Sequence, residues 1–107
     1  MTSSDLVETI VSHLGGENVL AQIGAGEFFS DGARVSFQLR HSNPKGVHSV
    51  VISTQPRGFF SMECYGHLAH GTLTAPLVGA ARQIIPENLA TVLGQLTGIE
   101  SIHHRHF

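Results

Sequence analysis

A cysteine and two histidines lie within seven residues of one another, at Cys64, His67 and His70. Thiolate sulfur and imidazole nitrogen are ligands that zinc and related transition metals prefer. A loop could fold these three side chains around one ion, with water, His48 or a residue of the C-terminal tail as a fourth ligand. The pattern lacks a second paired half such as C-x-x-C, so it also fits a core cysteine followed by two surface histidines. The metal site predicted here is Cys64, His67 and His70.

A second group of histidines lies at the C-terminus, in the run His103-His-Arg-His106. In an extended chain His104 and His106 share one side, and His103 and Arg105 share the other. Such a segment could bind a metal, an anionic partner or a neighbouring subunit. Terminal residues are usually poorly tied down, which favours a tail without a function of its own.

Other chemistry is less specified. A small-molecule or catalytic pocket lined by Arg40, His41 and His48 would require those side chains to converge in a concave site. Any histidine could serve as a base for Cys64 or a serine, but no nucleophile-elbow, zinc-protease or phosphate-loop motif is present. Gly24-Ala-Gly26 is too short for a dinucleotide fingerprint and predicts a bulge in a strand. No cofactor can be named.

Composition limits the partners. Of 107 residues, 41% are hydrophobic and only 13% are charged, which is about half the usual charged fraction. The six basic residues are scattered over a chain of net charge −2, so nucleic acid is an unlikely partner. A weakly charged surface favours self-association, and we therefore expect a homodimer or another protein partner. One cysteine, no visible signal peptide and no apolar run long enough to cross a membrane predict a soluble, cytoplasmic protein.

The elements that must position these residues follow from hydrophobic periodicity. An N-terminal helix, which Gly15-Gly16 ends, is predicted from the helical spacing of Leu6, Val7, Ile10, Val11 and Leu14. A C-terminal helix after Pro86 is predicted from the same spacing in Leu89, Val92, Leu93 and Leu96. Between them, strands are predicted at 18–29, 33–39, 47–54 and 59–65; the first is bent at its glycines, and the second has the clearest alternation. Segment 66–85 is ambiguous, since 72–74 and 78–85 fit strands while 80–82 also fit a helix.

The paired aromatics Phe28-Phe29 and Phe59-Phe60 add one expectation, because alternation places one ring of each pair on each face of the sheet. With two short helices available, one face is covered by helices and the other partly by a partner chain. The sequence therefore predicts a single α+β domain over 1–107, an antiparallel meander of four to five strands with both terminal helices packed on it. It favours a non-enzymatic, self-associating protein-interaction or adaptor module; the alternatives are a zinc-type metal-binding protein and a histidine-lined small-molecule or catalytic pocket.

Overall fold

The computed structural model describes residues 3–68 and 71–99. Over these residues the chain forms three α-helices and one five-stranded antiparallel sheet. The elements are α1 (Ser3–His13), α2 (Glu17–Gln22), β1 (Ala25–Ser30), β2 (Arg34–Leu39), β3 (Ser49–Thr54), β4 (Phe60–Tyr65), β5 (Leu77–Ile84) and α3 (Leu89–Thr97). None of the helices in this described part is long and apolar enough to cross a membrane.

The sheet is a meander in which every strand pairs with its neighbour along the chain, in the order β1-β2-β3-β4-β5. In β2 the side chains of Val35, Phe37 and Leu39 are buried, whereas those between them are half-buried or exposed. This is the alternation predicted for residues 33–39, except that Ala33 is exposed and precedes β2, and it defines a core face and an opposite face.

All three α-helices pack on the core face. Leu6, Ile10 and Leu14 of α1 are buried in the same hydrophobic cluster as Phe37, and Leu93 of α3 joins them there. Their spacing puts the buried residues of each helix on one side. Burial of that side stabilises helices that are too short to be stable alone. The predicted α+β fold, with a terminal helix at each end of the meander, is confirmed.

One predicted strand is wrong in its first half. Residues 18–29 were expected to form a single bent strand, but Glu17–Gln22 form α2 and only Ala25–Ser30 form β1. The helix is six residues long and buries Leu20, so it is too short to show helical periodicity in the sequence. The predicted bulge is present: the register of β1 against β2 shifts between Gly26 and Phe29, where Glu27 has a φ of 55°.

The ambiguous segment resolves into a strand. Leu77–Ile84 form β5, while 72–74 form no strand. Pro86 begins a short 3-10 turn instead of the α-helix predicted there, and α3 starts at Leu89. Leu89 and Leu93 are fully buried, with Val92 and Leu96 packed against the core, so the predicted stripe of α3 is confirmed.

Candidate functional site

Cys64 lies on the core face of β4, opposite Val50 of β3 and Gly79 of β5. Its side chain is fully buried and free of any disulfide. Burial raises the pKa of the thiol to about 12, because the thiolate would lose its hydration in an apolar environment. The thiol is therefore protonated at neutral pH, and a metal would have to displace that proton to bind.

His67 is exposed just beyond β4 and contacts a different histidine. Its imidazole ring stacks on that of His48, with ring centroids 4.1 Å apart and planes inclined by 26°. The main chain of His48 is held on both sides: its carbonyl accepts from the amide of Leu39, and its amide donates to the carbonyl of Tyr65, both at 2.7 Å. Its Nδ1 is buried and has no hydrogen-bond partner among the described residues.

Of the three predicted metal ligands, only Cys64 and His67 lie among the described residues. His70 and the C-terminal histidines 103, 104 and 106 lie outside the described residues. Within residues 3–68 and 71–99, no three histidine, cysteine or acidic side chains are grouped so as to hold a metal ion. The set Cys64, His67 and His70 remains a prediction.

A cleft of about 230 Å³ lies at the end of the sheet where the chain leaves β2 and later enters β3. Arg40, His41 and Ser42 line it from one side, and His67 lines it from the end of β4. The loop that forms its floor is closed by Asn43, whose side-chain amide donates to the Val47 carbonyl and whose Oδ1 accepts from the Val47 amide, each at 2.8 Å. Two of the three residues proposed for a pocket, Arg40 and His41, therefore line one cleft, and His48 adjoins it through His67.

Two glycines of β1 and the turn before it make room for these side chains. A Cβ on Gly26 would lie 2.5 Å from Nη2 of Arg40, and a Cβ on Gly24 would lie 2.7 Å from Cγ of His41. Both distances are shorter than carbon and nitrogen atoms tolerate without a shift, so only glycine allows these close approaches. The Gly24-Ala-Gly26 segment thus positions Arg40 and His41, a role that depends on the pairing of β1 with β2 and that the sequence pattern alone did not reveal.

The polar groups of the cleft have defined roles. Nδ1 of His41 lies 3.1 Å from the carbonyl oxygen of Gln22; because a carbonyl only accepts, Nδ1 carries the proton and Nε2 is left for other partners. Arg40 forms no salt bridge with the described residues. The one ion pair among those residues joins Arg34 to Asp31 at 3.4 Å. Among the residues that the structure describes, none of those lining the cleft is acidic.

The sheet face opposite the helices is a second candidate surface, which we call the open face. A row of directly paired residues crosses all five strands on this face: Phe29, Ser36, Val51, Glu63 and Ala80. Phe29 is 67% exposed, and a shallow depression of about 160 Å³ lies beside it. Glu63 accepts a hydrogen bond from the hydroxyl of Tyr65 at 3.0 Å, and this bond raises the pKa of the tyrosine.

The chain matches no protein-family model, no curated protein and no solved structure with which it was compared.

Proposed function

We propose that this protein is a non-enzymatic interaction module that self-associates, with the open face of its sheet docking on the same face of a second copy. The observation that carries the proposal is the segregation of all three α-helices to one face while Phe29, on the other, is 67% exposed. An antiparallel sheet can leave one face to water, but that face is then usually polar. A large exposed aromatic on it favours a partner.

The open face has the composition of a contact surface. Small side chains, including Ser36 and Ala80, lie on it between larger ones, and Val51 lies at its centre on the middle strand. Leu77 of the edge strand β5, which pairs with Tyr65 of β4, is 57% exposed. Small side chains around a few large ones let two sheets approach to the spacing of about 10 Å at which they pack.

The middle row of the open face is self-complementary. A two-fold axis parallel to β3 and passing over Val51 brings β1 of one copy over β5 of the other. Phe29 then lies near Ala80 of the second copy, so that the largest side chain of the row meets one of the smallest. The same operation pairs Ser36 with Glu63, a hydroxyl donor with a carboxylate acceptor.

The edges of the sheet are less suited to docking than its face. Both edge strands are irregular: β1 shifts register at Glu27, which has a φ of 55°, and β5 shifts register near Gln83, which has the same φ. Bulges twist an edge and interrupt its row of free backbone groups, which blocks the addition of a further strand. Face-to-face docking leaves these edges unused.

The size of the open face sets the strength of the contact. Five strands of about six residues give a face of about 24 by 20 Å, or about 480 Å² in projection. Stable dimers bury about 800 Å² of accessible surface on each partner. We therefore expect a weak dimer whose population rises with protein concentration.

Sedimentation velocity over a range of protein concentrations tests the proposal. Wild type should shift from monomer to dimer, and Phe29→Asp should stay monomeric because a charge would enter the contact without a partner. Leu73→Asp is the matched control, since Leu73 is 97% exposed and lies in the loop before β5, outside the strands that form the open face. A wild-type monomer at every concentration, or equal loss of dimer in both variants, would refute the proposal.

An exchange of two side chains tests the two-fold geometry itself. Ala80→Phe should weaken the dimer because two phenylalanine rings would meet, and adding Phe29→Ala should restore it by reversing which strand carries the large residue. A double variant no stronger than Ala80→Phe alone would rule out the pairing of β1 with β5.

A further inference from the structure

We infer that the cleft between Arg40, His41 and His67 binds a small ligand through an oxyanion, a carboxylate or phosphate group. This inference does not rest on the proposed open-face contact.

The charge of the cleft selects the ligand. Arg40 contributes a guanidinium, the cationic group that best matches an oxyanion, and none of the described residues that line the cleft is acidic. No salt bridge to a described residue neutralises its guanidinium. A planar guanidinium presents paired N–H donors that match the two oxygens of a carboxylate or phosphate.

The guanidinium of Arg40 also lies against the main chain of β1. It passes so close to Gly26 that Nη2 would lie 2.5 Å from a Cβ there. A side chain packed against a strand loses less freedom on binding than one that is free in water, so more of the interaction energy appears as affinity. Arg40 and His41 differ from most exposed side chains because each lies directly over a glycine, Gly26 and Gly24 respectively.

The imidazoles complete the donor set. His41 is oriented by the bond from Nδ1 to the Gln22 carbonyl, which leaves Nε2 for a ligand or a bridging water. His67 is held by its stack on His48, 4.1 Å between ring centroids. Two imidazoles and one guanidinium thus line the same cleft, as the few polar groups of a ligand site do.

The volume limits the size of the ligand. At about 230 Å³ the cleft is smaller than the pockets that enclose drug-sized molecules, which begin at about 300 Å³. A phosphate monoester or a short carboxylic acid fits such a volume.

Amide chemical shifts of the isotope-labelled protein test the inference, with inorganic phosphate and succinate as probes in separate titrations at constant ionic strength. We expect saturable shifts at residues 40–48 and 67 with at least one probe, and the more tightly bound probe identifies the oxyanion. Arg40→Gln should weaken binding about tenfold or more, as loss of a charge-assisted hydrogen-bond pair does. Arg82→Gln makes the same change of charge on β5, outside the cleft, and should leave the affinity unchanged.

Gly26→Ala separates position from charge. It displaces the end of a flexible side chain and requires no positive φ, so the fold should keep its unfolding midpoint while the probe binds several-fold more weakly. No saturable shift with either probe, or equal weakening by Arg40→Gln and Arg82→Gln, would overturn the inference. So would unchanged affinity in Gly26→Ala, since Arg40 would then bind nothing from its observed position.

Discussion

The ring of Phe28 stacks on the ring of Phe37, with centroids 5.0 Å apart and planes inclined by 28°. Phe28 lies in the register shift of β1. Phe29, which pairs with Ser36 of β2, projects from the other face of the sheet. Two adjacent phenylalanines thus have different roles: the first closes the edge of the core over Phe37, and the second projects from the open face.

Phe37 should be among the most costly residues to truncate. It is 1% exposed and is the largest fully buried side chain of the described core. Phe37→Ala should lower the free energy of unfolding by about 3–5 kcal/mol, the usual range for removing a buried phenylalanine. Urea unfolding measures this loss, with Gln38→Ala on the opposite face as the control. An unchanged midpoint for Phe37→Ala would contradict its burial.

The buried side of α3 gives a second prediction. Leu93→Asp should abolish cooperative unfolding because an unpaired charge would enter the core. Gln95→Asp, two residues away on the exposed side of the same helix, should change stability little. Circular dichroism during thermal unfolding distinguishes the two, and equal effects would show that the buried side of the helix is misassigned.

Cys64 should make the protein less stable in alkaline solution. Folding raises the pKa of the thiol from its ordinary value of 9.0 to about 12, so the unfolded chain loses this proton first as pH rises. The stabilising contribution is therefore complete below about pH 9 and is lost as pH rises through 12. Urea unfolding at several alkaline pH values should give a falling free energy, and Cys64→Ala should make the fall shallower.

A control is needed because Tyr65 titrates in the same direction. Its hydrogen bond to Glu63 raises the pKa of the phenol, so part of the alkaline loss comes from the tyrosine. Tyr65→Phe should remove that part alone. A slope unchanged in Cys64→Ala but abolished in Tyr65→Phe would contradict the assignment to the thiol.

Zinc binding at Cys64, His67 and His70 is tested by the melting temperature. Because the thiol is buried and protonated at neutral pH, we expect no stabilisation by Zn²⁺ that depends on Cys64. A ligand that binds only the folded state would add about 2.7 kcal/mol at one hundred times its dissociation constant, which such a titration detects easily. Stabilisation that is lost in both Cys64→Ser and His67→Ala would establish the metal site.

The parts of the fold that could be predicted are those whose sequence repeats match their structural period. The alternation in β2 and the stripe around Leu93 each continue through the whole element, so the sequence indicated which side is buried. The helix α2 was missed because six residues contain less than two helical turns. Segment 66–85 was ambiguous because β5 is an edge strand whose exposed residues include Leu77 and Val78, so its pattern does not alternate.

The candidate sites were less accessible from sequence than the fold. Arg40 and His41 could be suspected from their side chains, but their support by Gly24 and Gly26 depends on the register of β1 against β2. The row that joins Phe29 to Ala80 spans residues 51 positions apart and exists only once all five strands are paired. Long-range pairing of this kind leaves no local pattern in the chain.

The order of the strands also bears on how the chain folds. Each strand pairs with the one made just before it, so each hairpin needs only the closure of the loop between neighbouring strands. α3 packs on β4 and β5, so this part of the core face stays open until Leu89 and Leu93, the last residues of the described core, have been synthesised. During translation Met62 of β4 therefore remains incompletely covered until residue 97 has emerged from the ribosome. This interval is when the nascent chain is most exposed to chaperones and proteases.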